Sequence, residues 1–348
     1  MITFLCGGLR GNKFLEGLLR VIPQEELTII VNTVNNIEIC GLDIYPDLEY
    51  LLFLLAGELS IRHWETADSA HNLMNSLSQK IPSLSLLIDK DWECIRGDTY
   101  SFMDAFSYLT NKDEFWVHFG DTIFSRALFR NFMISQGKTF SEAIGIIAEK
   151  LDIKAGVLPI TDAKVSLNVV TEQGELPLIE YRNKEIKGLI KEIKKIEFNG
   201  IDDVKVNSKV EDAFSDSELI LIGPCNPLLN VLLFTEYLPP FRPIEKAIEK
   251  ASCHVIAISP IIGDEPIEQP LWRIMEEAVG FGGTILQIAE RYRGLIDTLI
   301  VDESDEKYKA QIEEMGKEVI VTNLNLGTQE NRIKLAELVS RLLHSYIK

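Results

Sequence analysis

Short apolar runs alternate with stretches of helical spacing near both ends of the chain. The first residues read ITFLC, then KFLEGLLRVI stopped by Pro23, then LTIIV, then PDLEYLLFLLAG. Continuous apolar runs bounded by turn residues predict buried strands, and the intervening spacing predicts helices. Strand, helix, strand, helix in that order implies a parallel sheet. The same alternation returns late in the chain: LILIGP, HVIAISP, PLWRIMEEA, TILQIAERYR, LIDTLIVD, EVIVTN and NRIKLAELVSRLLHSY.

The middle differs. From Glu58 to Lys150 no β-branched alternation stands out, and SAHNLMNSLSQ, SFMDAFSYL and TFSEAIGIIAEKL have helical spacing. AGVLPI, KVSLNVVT, a QGEL turn and EIKKIEFNG then predict antiparallel strands or hairpins attached to the main sheet. No repeat or low-complexity linker separates the two ends. The expected architecture is α/β: a doubly wound, mostly parallel Rossmann-like sheet from 1–57 and 151–348, with a mainly helical insertion at 58–150.

The chain has 348 residues, 46% of them hydrophobic, enough for a large core. Its net charge of −18 argues against a nucleic-acid partner or an anionic membrane, so an anionic ligand needs a local pocket. Cys6, Cys40, Cys94, Cys225 and Cys253 are scattered without a CxxC pair, which suggests a reducing compartment and neither zinc nor a disulfide framework. ITFLC is too short for a signal segment and LEYLLFLLAG too short to cross a bilayer, so a cytoplasmic protein is expected.

Candidate chemistry gathers where predicted strands end. Gly7, Gly8 and Gly11, with Lys13 in the first turn of the next helix, suit phosphate at a helix N-terminus; an ordinary βα turn is the alternative. After the second strand, Asn32, Thr33, Asp43, Asp47 and Glu49 offer oxygens, although acids in a first helical turn also simply complement the dipole. IGPCNP carries Asn226, and SPIIGDEP carries Ser259 and Gly263. In the insertion, RGDTY, His118 before Gly120-Asp121, Arg126 and Arg130 supply charge, for which surface ion pairing is the commoner fate. The histidines lack metal spacing, no GxSxG elbow occurs, and Cys225 reads as a buried thiol.

Taken in order, CGGLRGNKFLEGL, IIVNTVNN, YPDLEYLLFLLAG, RGDTY, FGD, LPITD, IGPCNP and AISPIIG resemble the loop series of the 2-phospho-L-lactate transferases over nearly the whole chain. The resemblance implies transfer of a phospholactyl-type group from a guanosine diphosphate conjugate to the ribityl hydroxyl of a deazaflavin precursor, with magnesium, releasing guanosine monophosphate. It also implies a homodimer. Asp47 would ligate the metal and act in catalysis with Glu49. Glu49 and His118 would lie on the acceptor side, and Gly7, Gly8, Lys13, Asn226 and Ser259 near phosphate. Gly11, Asn32, Thr33, Arg130 and Gly263 complete the expected substrate contacts.

The pattern also departs from the family. Leu9 and Arg10 stand where it has threonine and glycine, Asn35 and Asn36 where it has paired acids, Glu49 where it has a shorter acid, and Ala163 where it has an aspartate beside Asp162. A rival reading is therefore a paralogue with a degraded metal site that binds a nucleotide or nucleotide-sugar in a regulatory role. In a third, Arg10 and Asn36 bind phosphate directly and compensate for a weaker metal.

Overall fold

The computed structural model describes residues 1–39, 41–60, 65–66, 121–178, 180–181, 193–202, 204–227, 242–266, 272, 276, 280 and 282–346. They fall into two compact units: Met1–Asn36 with Tyr45–Leu48 and Ile153–Lys348, and Ile37–Ile44 with Glu49–Asp152.

The first unit is built on a seven-stranded sheet of β1 (Ile2–Cys6), β2 (Leu27–Val31), β7 (Gly156–Pro159), β11 (Leu219–Ile222), β12 (His254–Ile258), β15 (Thr298–Asp302) and β16 (Glu318–Thr322). Every pairing in it is parallel. The strand order is β16-β15-β12-β11-β1-β2-β7. The chain winds outward from β1 through β2 to β7, returns beside β1 as β11, and winds outward again on the other side. The expected doubly wound α/β sheet is present, with its order reversing between β1 and β11. All residues of β1, β11 and β15 are buried, which is why these strands read as continuous apolar runs.

Helices complete the layers: α1 (Gly8–Leu18), α5 (Ser208–Ser215), α6 (Arg242–Lys250), α7 (Ile285–Arg291), α8 (Lys309–Glu314) and α9 (Gln329–Tyr346). The α7 N-terminus is fixed by a capping box between Thr284 and Gln287. Helices α1 and α9 approach closely at Gly17, where a Cβ would lie 2.3 Å from the Arg332 carbonyl oxygen. A buried ion pair of 3.1 Å from Arg332 to Glu16 ties the same two helices.

Two expectations are corrected here. AGVLPI is β7, an edge strand parallel to β2, so it belongs to the main sheet rather than to antiparallel strands. The antiparallel strands, β8 (Ser166–Thr171), β9 (Gly174–Pro177) and β10 (Lys195–Asn199), form their own sheet in the order β10-β8-β9 instead of extending the main one. Burial alternates along β8, as a sheet with one covered face requires.

The second unit contains the hairpin β3 (Ile37–Ile39) and β4 (Leu42–Ile44), the short ladder β5 (Leu59–Ser60) with β6 (Glu65–Thr66), and the helices α3 (Asp121–Ser135) and α4 (Phe140–Lys150). Helix α2 (Pro46–Leu55) begins within the first unit and continues in the second. The β3–β4 hairpin occupies what reads in sequence as a polar loop. A capping box between Thr139 and Glu142 starts α4 where TFSEAIGIIAEKL predicts a helix. SAHNLMNSLSQ, SFMDAFSYL and RGDTY lie outside the described residues, as does most of PLWRIMEEA. Among the described residues no helix is long and apolar enough to cross a membrane.

Candidate ligand crevice at the topological switch point

In an open doubly wound sheet, ligands bind outside the carboxyl ends of the strands where the order reverses. Here that point lies between Cys6 at the end of β1 and Ile222 at the end of β11. Helix α1 starts immediately after β1. Its N-cap, Gly7, has no side chain to cap the first turn, and no acid occupies that turn. The free N–H groups and positive dipole end are therefore available to an anion. Gly8 has φ of 66°, a left-handed conformation that glycine adopts without strain. Because α1 begins at Gly8, Lys13 belongs to its second turn rather than its first.

Gly11 is buried in α1 against both ends of the switch. A Cβ there would lie 3.1 Å from Cys6 Sγ and 3.9 Å from Cys225 Cβ. Opposite, the β11 loop is stiff: Gly223 N–H donates to Leu5 O at 3.1 Å, and Cys225 N–H donates to Gly223 O at 2.7 Å around Pro224. That i to i+2 bond is a γ-turn, and proline fixes its geometry. Gly223 is obligatory, since a Cβ would lie 2.9 Å from the buried Phe4 ring. Cys225 and Asn226 are both buried in this loop. Burial, with smaller repulsion from Cys225 and Asp47, holds the Cys6 thiol well above its ordinary pKa and therefore neutral. Asp47, half-buried in the first turn of α2, is the carboxylate that this influence places within electrostatic reach of the β1 end.

The loop after β2 is polar and almost wholly buried. Asn32, Thr33, Asn35 and Asn36 are each 7% exposed or less. Asn36 uses its amide to hold the loop together, donating to Thr33 O at 2.8 Å and to Val165 O at 2.5 Å. Asn32 Oδ1 accepts the Val34 N–H at 2.8 Å. The Arg10 guanidinium donates to Leu324 O at 3.2 Å, beyond β16.

The β12 loop is locked from outside. Ser259 is fully buried, and its Oγ accepts the Ile261 N–H at 3.0 Å. The short hairpin β13 (Ile261–Ile262) and β14 (Glu265–Pro266) turns through Gly263 and Asp264, with φ of 66° and 58°. Positive φ at both central residues is the requirement of a type I′ turn. The buried Asp305 carboxylate accepts both turn N–H groups, Gly263 at 3.0 Å and Asp264 at 2.6 Å. Asp264 in turn accepts from Ile285 N–H at 3.0 Å and from the Tyr308 hydroxyl at 2.8 Å.

In the second unit, Glu49 meets Arg130. Arg130 Nη1 donates to Glu49 Oε1 at 2.6 Å and Nη2 to Asp43 O at 2.6 Å. The other helical cation of α3, Arg126, donates to Glu58 at 2.5 Å and lies over the Phe53 ring.

Residues 2–339 match the family described as 2-phospho-L-lactate transferase CofD. The chain belongs to this family. It is 26% identical over 342 residues to a protein named 2-phospho-L-lactate transferase from Methanothermobacter thermautotrophicus, with 97% of each chain covered. It is 28% identical over 331 residues to one of the same name from Methanococcoides burtonii, with 95% of each covered. A solved UPF0052-family protein from Bacillus halodurans shares the fold, with TM-score 0.54 and 15% identity over 97% of this chain and 98% of that one. As a member of a transferase family, the chain is an enzyme that moves a phosphoryl-type group.

Within this family member the first unit contains Gly7, Gly8, Gly11, Lys13, Asn32, Thr33, Asp47, Asn226, Ser259 and Gly263. Gly7, Gly8, Asn32, Thr33, Asn226 and Ser259 lie directly beyond strand ends of the parallel sheet; Gly11 and Lys13 are further along α1, Asp47 starts α2 after the β3–β4 hairpin, and Gly263 is in the β13–β14 turn. Glu49 and Arg130 belong to the second unit, paired with each other. His118 lies outside the described residues. Asp305 and Asp264 fix the β12 loop; Asp264 lies within the SPIIGDEP segment that the sequence points to, and Asp305 in a segment that it does not.

Proposed function

We propose that this chain is a transferase of the 2-phospho-L-lactate type, acting in deazaflavin coenzyme biosynthesis. The donor is a guanosine diphosphate conjugate and the acceptor a ribityl hydroxyl of a deazaflavin precursor. The observation that carries the reading is the switch point itself: an uncapped helix N-terminus after Gly7 faces the rigid Gly223-Pro224-Cys225 turn across adjacent parallel strands. Backbone donors fixed in this way stabilise a diphosphate without reorganising.

The acceptor oxygen attacks the phosphorus bearing the lactyl group. A new P–O bond forms, the bond to the bridging oxygen breaks, and guanosine monophosphate leaves with that oxygen. The hydroxyl proton passes to a carboxylate at the crevice, for which Asp47 is the candidate. Glu49 belongs to the second unit, where its carboxylate is paired with Arg130.

Among the described residues of this set, Asp47 is the carboxylate that would hold magnesium. Asn35 and Asn36 are neutral, and the Asn36 amide donates to two backbone carbonyls. A cation held by one carboxylate and the substrate is a familiar arrangement for magnesium, and when bound it would neutralise charge on the diphosphate. The chain's own part is to hold the donor on the backbone N–H groups at the start of α1.

The test is incubation with the conjugate and the deazaflavin precursor, following guanosine monophosphate and the acceptor mass by mass spectrometry. Equimolar appearance of the nucleotide and a phospholactyl adduct supports the reading. Nucleotide binding without adduct would instead favour the regulatory paralogue.

A further inference from the structure

Three neighbouring side chains at the end of β2 carry polar atoms without a hydrogen-bond partner among the described residues: Asn32 Nδ2, Thr33 Oγ1 and Asn35 Oδ1. The residues are 3%, 2% and 7% exposed, so bulk water does not satisfy these atoms. The loop does not turn them outward, because its backbone is held elsewhere. Val34 N–H binds Asn32 Oδ1, Leu167 N–H donates to Val34 O at 2.9 Å, and Asn36 bridges Thr33 O and Val165 O. The Val34 bond also fixes the sense of the Asn32 amide, leaving its N–H groups as the unmatched donors.

Chemically this is a neutral set: an amide donor, a hydroxyl that both donates and accepts, and an amide acceptor. A phosphate would leave the acceptor unmatched, and a cation would oppose the Asn32 donor. Adjacent hydroxyl groups, each able to donate and accept, match all three in kind. The position agrees, since the end of the second strand is where doubly wound sheets meet the ribose of a bound nucleotide, commonly through an acid. Here amides and a hydroxyl stand there.

We propose that Asn32, Thr33 and Asn35 bind vicinal hydroxyls of a sugar or sugar alcohol on the ligand. The inference rests on the nucleotide-dependent transferase reading and sharpens it. Two parts of the proposed reactants share this chemistry, the ribose of the guanosine diphosphate moiety and the ribityl chain of the acceptor. Because the atoms are covered, contact is accompanied by local rearrangement of residues 32–36.

The experiment is calorimetric titration of the full chain with four ligands. These are guanosine diphosphate and its 2′,3′-dideoxy analogue, and a deazaflavin precursor and its analogue with an alkyl chain in place of ribityl. The expected result is that one hydroxyl-bearing ligand binds at least about tenfold tighter than its partner, which also says which sugar is read. Thr33→Val should erase most of that ratio while leaving the other pair of ligands unchanged. The same variant should melt no lower than the wild type, because it removes a hydroxyl that has no partner in the free protein. If guanosine diphosphate binds but neither hydroxyl-bearing ligand outdoes its analogue, the inference is wrong and the nucleotide reading stands. Binding of none of the four overturns both.

Discussion

Arg130 and Glu49 meet at 2.6 Å with both side chains 1% exposed, and they are 81 positions apart in sequence. Removing one partner strands the other as a buried charge, which typically costs about 3–5 kcal/mol, whereas replacing both with neutral groups of similar size costs much less. Arg130→Met is therefore expected to lower stability by roughly that amount in a denaturant titration. The double variant Arg130→Met/Glu49→Gln should recover most of the loss. Equal destabilisation by the single and double variants would show that the pair is not coupled.

Asn36 gives a second prediction, opposite to the one its sequence position suggests. An aspartate there resembles restoration of a family acid. The amide, however, donates to Thr33 O and Val165 O, and a carboxylate would present acceptors to two carbonyl oxygens. Loss of two buried hydrogen bonds with unmatched acceptors puts the cost of Asn36→Asp at about 2–4 kcal/mol. The variant should melt earlier and gain no magnesium-dependent turnover. A gain in turnover without loss of stability would contradict this account.

Much of the fold was readable because parallel strands buried on both faces have little freedom in composition: LTIIV, LILI and TLIVD admit few other readings. What escaped was short or long-range. The β3 and β4 strands have only three residues each, too few for a period to emerge from the polar run around them. GGLRGN reads in sequence as a glycine loop, yet Gly8 starts α1, with a φ of 66° that glycine adopts freely. The strand-end loops of the site were readable, but the task of each side chain within them was not. Asn36 depends on Val165, Glu49 on Arg130 and Gly263 on Asp305, partners that no local pattern announces.

Asp305 supplies a pH-dependent prediction. Burial raises its pKa above the ordinary aspartate value, although two backbone N–H donors pull the other way. The folded protein thus holds this proton more tightly than the unfolded chain does. Stability from this source is fully present below about pH 3.8 and is lost as pH rises through the higher folded value. Asp305→Asn should flatten that part of the stability–pH curve. It should also loosen the Gly263–Asp264 turn, seen as faster amide exchange at those two residues. An unchanged curve and unchanged exchange would remove Asp305 from the role given to it.

Gly223 tests the stiffness of the β11 loop. A methyl group there meets the buried Phe4 ring at 2.9 Å, and neither the ring nor the loop can yield without disturbing β1. Gly223→Ala is expected to cost about 1–3 kcal/mol by overpacking. Guanosine diphosphate affinity should fall about tenfold as the opposing loop shifts, an effect measurable by calorimetry below the melting transition. Unaltered affinity in a folded variant would place the nucleotide elsewhere.

The nucleotide is expected to bind at the switch point between β1 and β11. The most direct measurement is hydrogen–deuterium exchange of the full chain with and without guanosine diphosphate, read by mass spectrometry on peptides covering the sheet. Protection is expected to concentrate at residues 6–12 and 223–227, with little change at the amino ends of the strands around Val255 and Lys317. Protection confined to those amino ends, with residues 6–12 and 223–227 unaffected, would contradict it.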